Sequence, residues 1–207
     1  MSQSNTSVRR RSVVAGAAWA APTIAIGSAA PAMAASRPPG LQGWVTVGKS
    51  CQGRVWPLSD QLTLTINGTG GGNANPPDNN SRGLWIYNTN STTSIANARL
   101  TVYYPSSLGS ISFSRATGGA TTWSIPAVDS TAPTISGFTA YSSFYTGTWQ
   151  FYDLTGVIDD HHRAVGRPNF TATIDVASCP GTIQVYSWRT VQVDGQTISF
   201  TRGPISL

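Results

Sequence analysis

The chain has no glutamate, one lysine (Lys49), two histidines and two cysteines, and only 10% of its 207 residues are charged. Each shortage removes a class of function. Without glutamate there can be no zinc-protease His-Glu motif. Acid–base hydrolysis of a glycoside needs two carboxylates at a controlled separation, yet every acid here is aspartate, and Asp159 and Asp160 are immediate neighbours. A serine hydrolase elbow, Gly-x-Ser-x-Gly, is absent as well. The chain is therefore expected not to be an enzyme and to need no cofactor. Scarce Glu and Lys also remove the best helix formers, leaving a Thr-, Ser-, Asn- and Gly-rich chain suited to strands and turns.

What is present at the start of the chain is an address. Arg9-Arg10-Arg11-Ser12-Val13-Val14 leads into a soft Ala- and Gly-rich apolar run, which ends in Pro31-Ala32-Met33-Ala34-Ala35. This is the basic, apolar and Ala-x-Ala pattern of an export signal. Arg10 and Arg11, one spacer and two apolar residues match the twin-arginine form, with the general pathway as the alternative. Cleavage is expected after Ala34, with Ala32 and Ala34 in the small-residue positions. Pro22 and Gly27 break the apolar run, and a spanning helix needs about 20 strongly apolar residues, so no transmembrane segment is expected in the mature chain. The expected organisation is a signal over 1–34, a linker over 35–42 and one domain over 43–207, secreted or associated with the cell envelope.

Export changes the reading of charge and of cysteine. The formal net charge is +5, but three of the arginines lie in the signal. The remaining arginines are scattered rather than gathered into a phosphate-tracking stripe, so nucleic acid is excluded as a partner. Cys51 and Cys179, the only cysteines, are expected to form a disulfide once the chain reaches an oxidising compartment. A twin-arginine substrate folds before export, so its core must hold before that bridge closes.

Beyond the linker, apolar residues alternate with period two. Leu62, Leu64 and Ile66 alternate with polar residues, as do Ala98, Leu100, Val102 and Tyr104, and again Phe170, Ala172, Ile174 and Val176. Each set predicts a strand with one buried and one wet face. Shorter strands are predicted over 44–47, 83–87, 110–115, 121–125, 134–141, 148–152 and 182–188. Asp194-Gly195, between Val191/Val193 and Ile198/Phe200, predicts a hairpin with a type I′ turn. The predicted fold is all-β, an antiparallel sandwich of immunoglobulin-like kind, with a jelly roll as the alternative. Gly68 to Gly83 reads as a long loop.

Ile86-Tyr87-Asn88-Thr89-Asn90, followed by Ile95 through Tyr104-Pro105-Ser106-Ser107-Leu108, resembles the immunoglobulin-like repeat domains of bacterial cell-surface proteins. There an Asn-containing turn leads to an alternating strand that ends in Pro and Leu. The match covers about two dozen residues. The resemblance implies a structural or adhesive role at the envelope, with envelope components or other surface proteins as partners, and brings no catalytic residue.

Three candidate sites remain. Asp159-Asp160-His161-His162 concentrates titratable groups, which makes these four the candidate ligands of a divalent metal such as zinc. Neighbouring residues on a strand face opposite ways, so convergence requires a loop, and a solvated loop without ligand is the expectation. Lys49 is either a strand-end lysine or a partner in an isopeptide bond to Asn or Asp. The aromatic-dense stretch 141–152 alternates, placing Trp149 and Phe151 on one face and Gln150 and Tyr152 on the other. Much of it is expected to fill the core, while Tyr141, Tyr145 and Tyr152 are the candidates for an exposed, carbohydrate-binding surface. The predicted function is a non-catalytic envelope or surface protein, with a carbohydrate- or cell-wall-binding module as the alternative.

Overall fold

The computed structural model describes residues 37–43, 45–68, 83–153 and 160–207, so the export signal with Arg10, Arg11, Ala32 and Ala34 lies outside the described residues. Thirteen strands are found among them: β1 (Gly40–Gln42), β2 (Thr46–Gln52), β3 (Asp60–Asn67), β4 (Trp85–Tyr87), β5 (Ile95–Pro105), β6 (Ser114–Arg115), β7 (Ala127–Val128), β8 (Phe138–Phe144), β9 (Trp149–Tyr152), β10 (His161–Ala164), β11 (Asn169–Val176), β12 (Gln184–Val193) and β13 (Gln196–Ser206). A single 3-10 turn, Ser106–Leu108, follows β5. All elements lie in the unit Pro39–Leu207. The residues expected to end the linker, Gly40–Gln42, instead pair with β4, which corrects the linker's boundary.

The strands form three antiparallel sheets, in the orders β1-β4-β10-β9, β2-β3-β11-β6 and β13-β12-β5-β8-β7. The fold is all-β and sandwich-like. Period-two patterning is what builds it: Leu62, Leu64 and Ile66 of β3 lie opposite Ile174, Ala172 and Phe170 of β11, and β2 adds Cys51, Lys49 and Val47 on the same face. One contiguous cluster takes inward side chains from all three sheets, including Leu41, Ile86 and Ala164, then Leu64 and Phe170, then Leu100, Val102, Tyr104 and Val191.

Two details of register matter. Thr190 pairs with Arg99 but Gln192 with Ala96, so β5 carries one extra residue there, and Asn97 sits at φ 52°. A bulge of this kind resets the alternation, which is how Ile95 and Ala98 both pack on the core. At the other end of the pair, Asp194 and Gly195 have φ of 48° and 79°, the two positive values that a type I′ turn requires. The predicted hairpin is present, joining β12 to β13.

Cys51 and Cys179 form the expected disulfide across 128 residues of sequence. Lys49 does point to the core side, opposite Leu64, and extends its ammonium to donate to the Pro180 carbonyl at 3.0 Å. Among the predicted strands, 121–125 is corrected: Trp123 makes one isolated bridge to Tyr145 and no strand.

The outer face of β5 was expected to be wet and is not. Thr101 and Tyr103 are buried, and Thr101 Oγ1 lies 2.7 Å from Ser142 Oγ across the β5–β8 pair. Arg99, on the same face, donates to Asp129 Oδ2 and Thr131 Oγ1, both at 2.8 Å, and its guanidinium lies 4.5 Å from the Trp188 ring centroid. The strand β7 and the turn after it bring Asp129 over this face. Sequence alternation cannot reveal such a cover, because it comes from another segment.

Candidate functional site

The site begins with the register of β9 on β10, where Tyr152 is set opposite His161 and Gln150 opposite Arg163. Alternation then sends these four to one face of the sheet, and Trp149, Phe151, His162 and Ala164 to the other. The split of Trp149 and Phe151 from Gln150 and Tyr152 follows the sequence expectation. On the face turned away from the core cluster the rings form a ladder in which His161 and Trp85 are nonetheless buried: Tyr152 stacks on His161 at 5.0 Å and 7°, and His161 meets Trp85 edge-on at 5.7 Å. On the core face His162 lies against Phe151 at 5.0 Å, and its Nδ1 is 3.0 Å from Thr89 Oγ1. Thr89 also donates its backbone N–H to the Asp160 carbonyl. Burial pushes the His162 imidazole below its usual range, since a charged ring in the core would lose its hydration.

This arrangement corrects the reading of His161 and His162. They occupy a buried strand rather than a solvated loop, because both rings are apolar enough to pack and each finds aromatic neighbours. Adjacent on that strand, they face opposite sides and cannot share an ion. Asp160 precedes the strand, and Asp159 lies outside the described residues. Among the described residues, no three His, Cys or Asp side chains come together at metal-binding distance.

Two of the three candidate tyrosines are corrected as well. Tyr141 is buried against Tyr104 and Phe113, and its Oη accepts the Ile111 N–H at 3.1 Å. Tyr145 is buried between Trp123 and Trp149 and donates to the Thr148 and Val165 carbonyls. Each phenol finds a backbone partner inside, which is the condition for burying a tyrosine. Tyr141, Ser143 and Tyr145 share the inward parity of β8 and its extension, so period-two counting along this stretch would have placed both tyrosines inside.

Tyr152 is half-buried and reaches the surface in part. Its Oη donates to Gln150 Oε1 at 2.9 Å, and the two residues line a recess of about 150 Å³ together with Arg163, Val165 and Arg167. The turn beyond β10 sets the far wall. Gly166 has φ +90°, and a Cβ there would come within 2.6 Å of the Ala120 methyl, so glycine is required. The carbonyls of Val165, Gly166 and Arg167 are held by Tyr145, Trp123 and Ala120 respectively. The wall is therefore fixed to the core, and the recess presents a phenol, an amide and two guanidinium groups. Such a set can bind hydroxyl, carboxylate or phosphate oxygens. Gln150, Arg163 and Arg167 were not singled out as site residues in the sequence; the β9–β10 register brings Gln150 and Arg163 together, and the turn after β10 adds Arg167.

A second, smaller recess lies over the core and is lined by Val45, Leu84, Leu100, Trp123, Pro168 and Arg189. Arg189 is a buried core-side arginine beside the Phe200 ring. Burial, reinforced by the like charge of Arg202, pulls its guanidinium down to about 10.

Compared with protein-family models, with curated proteins and with solved structures, the chain matches none of them.

Proposed function

We propose that the chain is an exported, non-catalytic protein of the cell envelope with a structural or adhesive role, and that its adhesive contact is to surface polysaccharide. The observation that carries this reading is the recess of Gln150, Tyr152, Arg163 and Arg167. It combines the phenol of Tyr152, whose ring stacks by one face on His161, with amide and guanidinium donors for hydroxyl and acidic substituents. The finer fold belongs to the same proposal: an immunoglobulin-like sandwich, supported by antiparallel pairing between all described strand neighbours and one core shared by the sheets. Export by the twin-arginine route is supported by the Arg10-Arg11 pattern and by a disulfide suited to an oxidising compartment.

The test is fractionation of the native host, followed by pull-down of purified chain on isolated wall and membrane layers. Wall polysaccharide is expected to retain the chain, and a Tyr152→Ala/Arg163→Gln double variant to lose roughly tenfold in retention. Protein found only in the medium, with no layer retaining it, would overturn the reading.

A further inference from the structure

The loop from Gly53 to Ser59, between β2 and β3, exposes apolar side chains to an extent unmatched elsewhere among the described residues: Val55 at 86%, Trp56 at 88% and Leu58 at 62%. Leaving such groups in water gains the fold nothing, and isolated exposed apolar residues are ordinary, but three within four positions at a loop tip form a patch.

The base of this loop is rigid. Asp60 accepts the Arg54 N–H at 2.9 Å through Oδ1 and the Cys179 N–H at 2.8 Å through Oδ2, so both carboxylate oxygens are engaged by backbone. The Cys51–Cys179 disulfide ties the same base to the segment after β11. At the tip, Leu58 N–H donates to the Val55 carbonyl at 3.2 Å, and Pro57 has no N–H to offer. The apolar tip thus carries few backbone donors that would resist removal from water.

From this geometry we infer that the Val55-Trp56-Leu58 tip is a membrane-docking element that inserts into the interfacial layer of a lipid bilayer. Size argues for lipid over a protein partner. The three side chains expose roughly 500 Å² in all, against about 800 Å² that a stable protein interface takes from each partner. Shape points the same way, because a convex tip needs a matching groove in a protein whereas a bilayer yields around it. Tryptophan suits the depth: its ring sits among the acyl carbons nearest the headgroups, with the indole N–H at the polar layer. Arg54, exposed at the base, is placed to meet headgroup phosphate. This inference goes beyond the polysaccharide reading and does not depend on it, since it uses a different loop and a different ligand.

The experiment is flotation of the purified full chain with protein-free vesicles of phosphatidylglycerol and phosphatidylethanolamine, alongside the variants Trp56→Ser and Leu58→Ser. The wild-type chain is expected to float with the vesicles. Trp56→Ser should weaken binding about tenfold and Leu58→Ser somewhat less, with melting temperatures unchanged because both side chains are exposed. Tyr152→Ala, which tests the polysaccharide recess, should float as the wild type does. A wild-type chain that stays in solution, or a Trp56→Ser variant that floats equally well, would overturn the inference. So would binding only to native envelope preparations that protease treatment abolishes, which would assign the tip to a protein partner.

Discussion

Asp129 offers the sharpest quantitative test of the packing over the outer face of β5. Its side chain is 8% exposed and that of its partner Arg99 is 13% exposed, so the pair is weakly screened by solvent. Burial by itself would raise the carboxyl. Hydrogen bonds from Ser142 and from the Thr131 hydroxyl and N–H, with the Arg99 charge, outweigh burial and bring it from 3.8 down to about 2. Because the folded value is depressed, the associated stability is present above the unfolded value near 3.8. It is lost as pH falls toward 2. The shift corresponds to about 2 kcal/mol at neutral pH, or roughly 4–8 °C in melting temperature for a domain of this size. The perturbation is Asp129→Asn, which keeps the shape and removes the titration. Thermal unfolding of both proteins from pH 7 to pH 2 should show a gap of that size at pH 7 that has mostly closed at pH 2, where folded Asp129 is about half protonated and its unfolded counterpart almost wholly so. The other aspartates titrate in both proteins and cancel in the difference. A gap of constant size across the range, or none at pH 7, would refute the reasoning.

Two further outcomes follow from buried groups. A Cys51→Ser/Cys179→Ser variant should still unfold cooperatively, because the core cluster does not include the bridge as its centre, but with a lower melting temperature. Loss of a closed loop of 128 residues is worth up to about 5 kcal/mol, and a non-cooperative melt would contradict a core that holds without the bridge. Tyr104 is fully buried and its hydroxyl makes no hydrogen bond among the described residues, so burial alone pushes its pKa up. Tyr104→Phe should therefore be neutral or stabilise by up to about 1 kcal/mol in urea denaturation; a clear destabilisation would show that the hydroxyl has a role in the core.

The parts of this fold legible in the sequence are those set by local chemistry. The alternation in β3, β5 and β11, the Asp194-Gly195 turn and the pairing of the two cysteines each follow from residue types at fixed spacing. What was not legible depends on segments far apart in the chain. Nothing in Arg99-Leu100-Thr101-Val102-Tyr103 announces that Asp129 and Trp188 will cover its polar side. His161 and His162 looked like loop residues because Asp and Gly surround them, yet β4 and β9 supply partners that turn them into a strand. Tyr141 and Tyr145 looked like surface residues because their hydroxyls are polar, and became core residues because backbone groups were there to bond them. For the same reason the recess at Tyr152 emerged only with the register of two strands separated by a loop.

The sheet that carries this recess is assembled from strands of three, three, four and four residues. They come from positions 40, 85, 149 and 161, while the five-stranded sheet contains strands of ten and eleven residues and a two-residue hairpin turn. Closing long loops for three or four ladder positions returns little free energy, whereas the β12–β13 hairpin forms at small loop cost. From these lengths the large sheet is expected to form first and to serve as the template on which the small sheet closes. In the finished protein the small sheet is expected to open at lower free energy than the large one, and hydrogen exchange should show its amides exchanging ahead of those in β5 and β12. On this expectation the surface proposed to grip polymer would be the last region to form and the first to release.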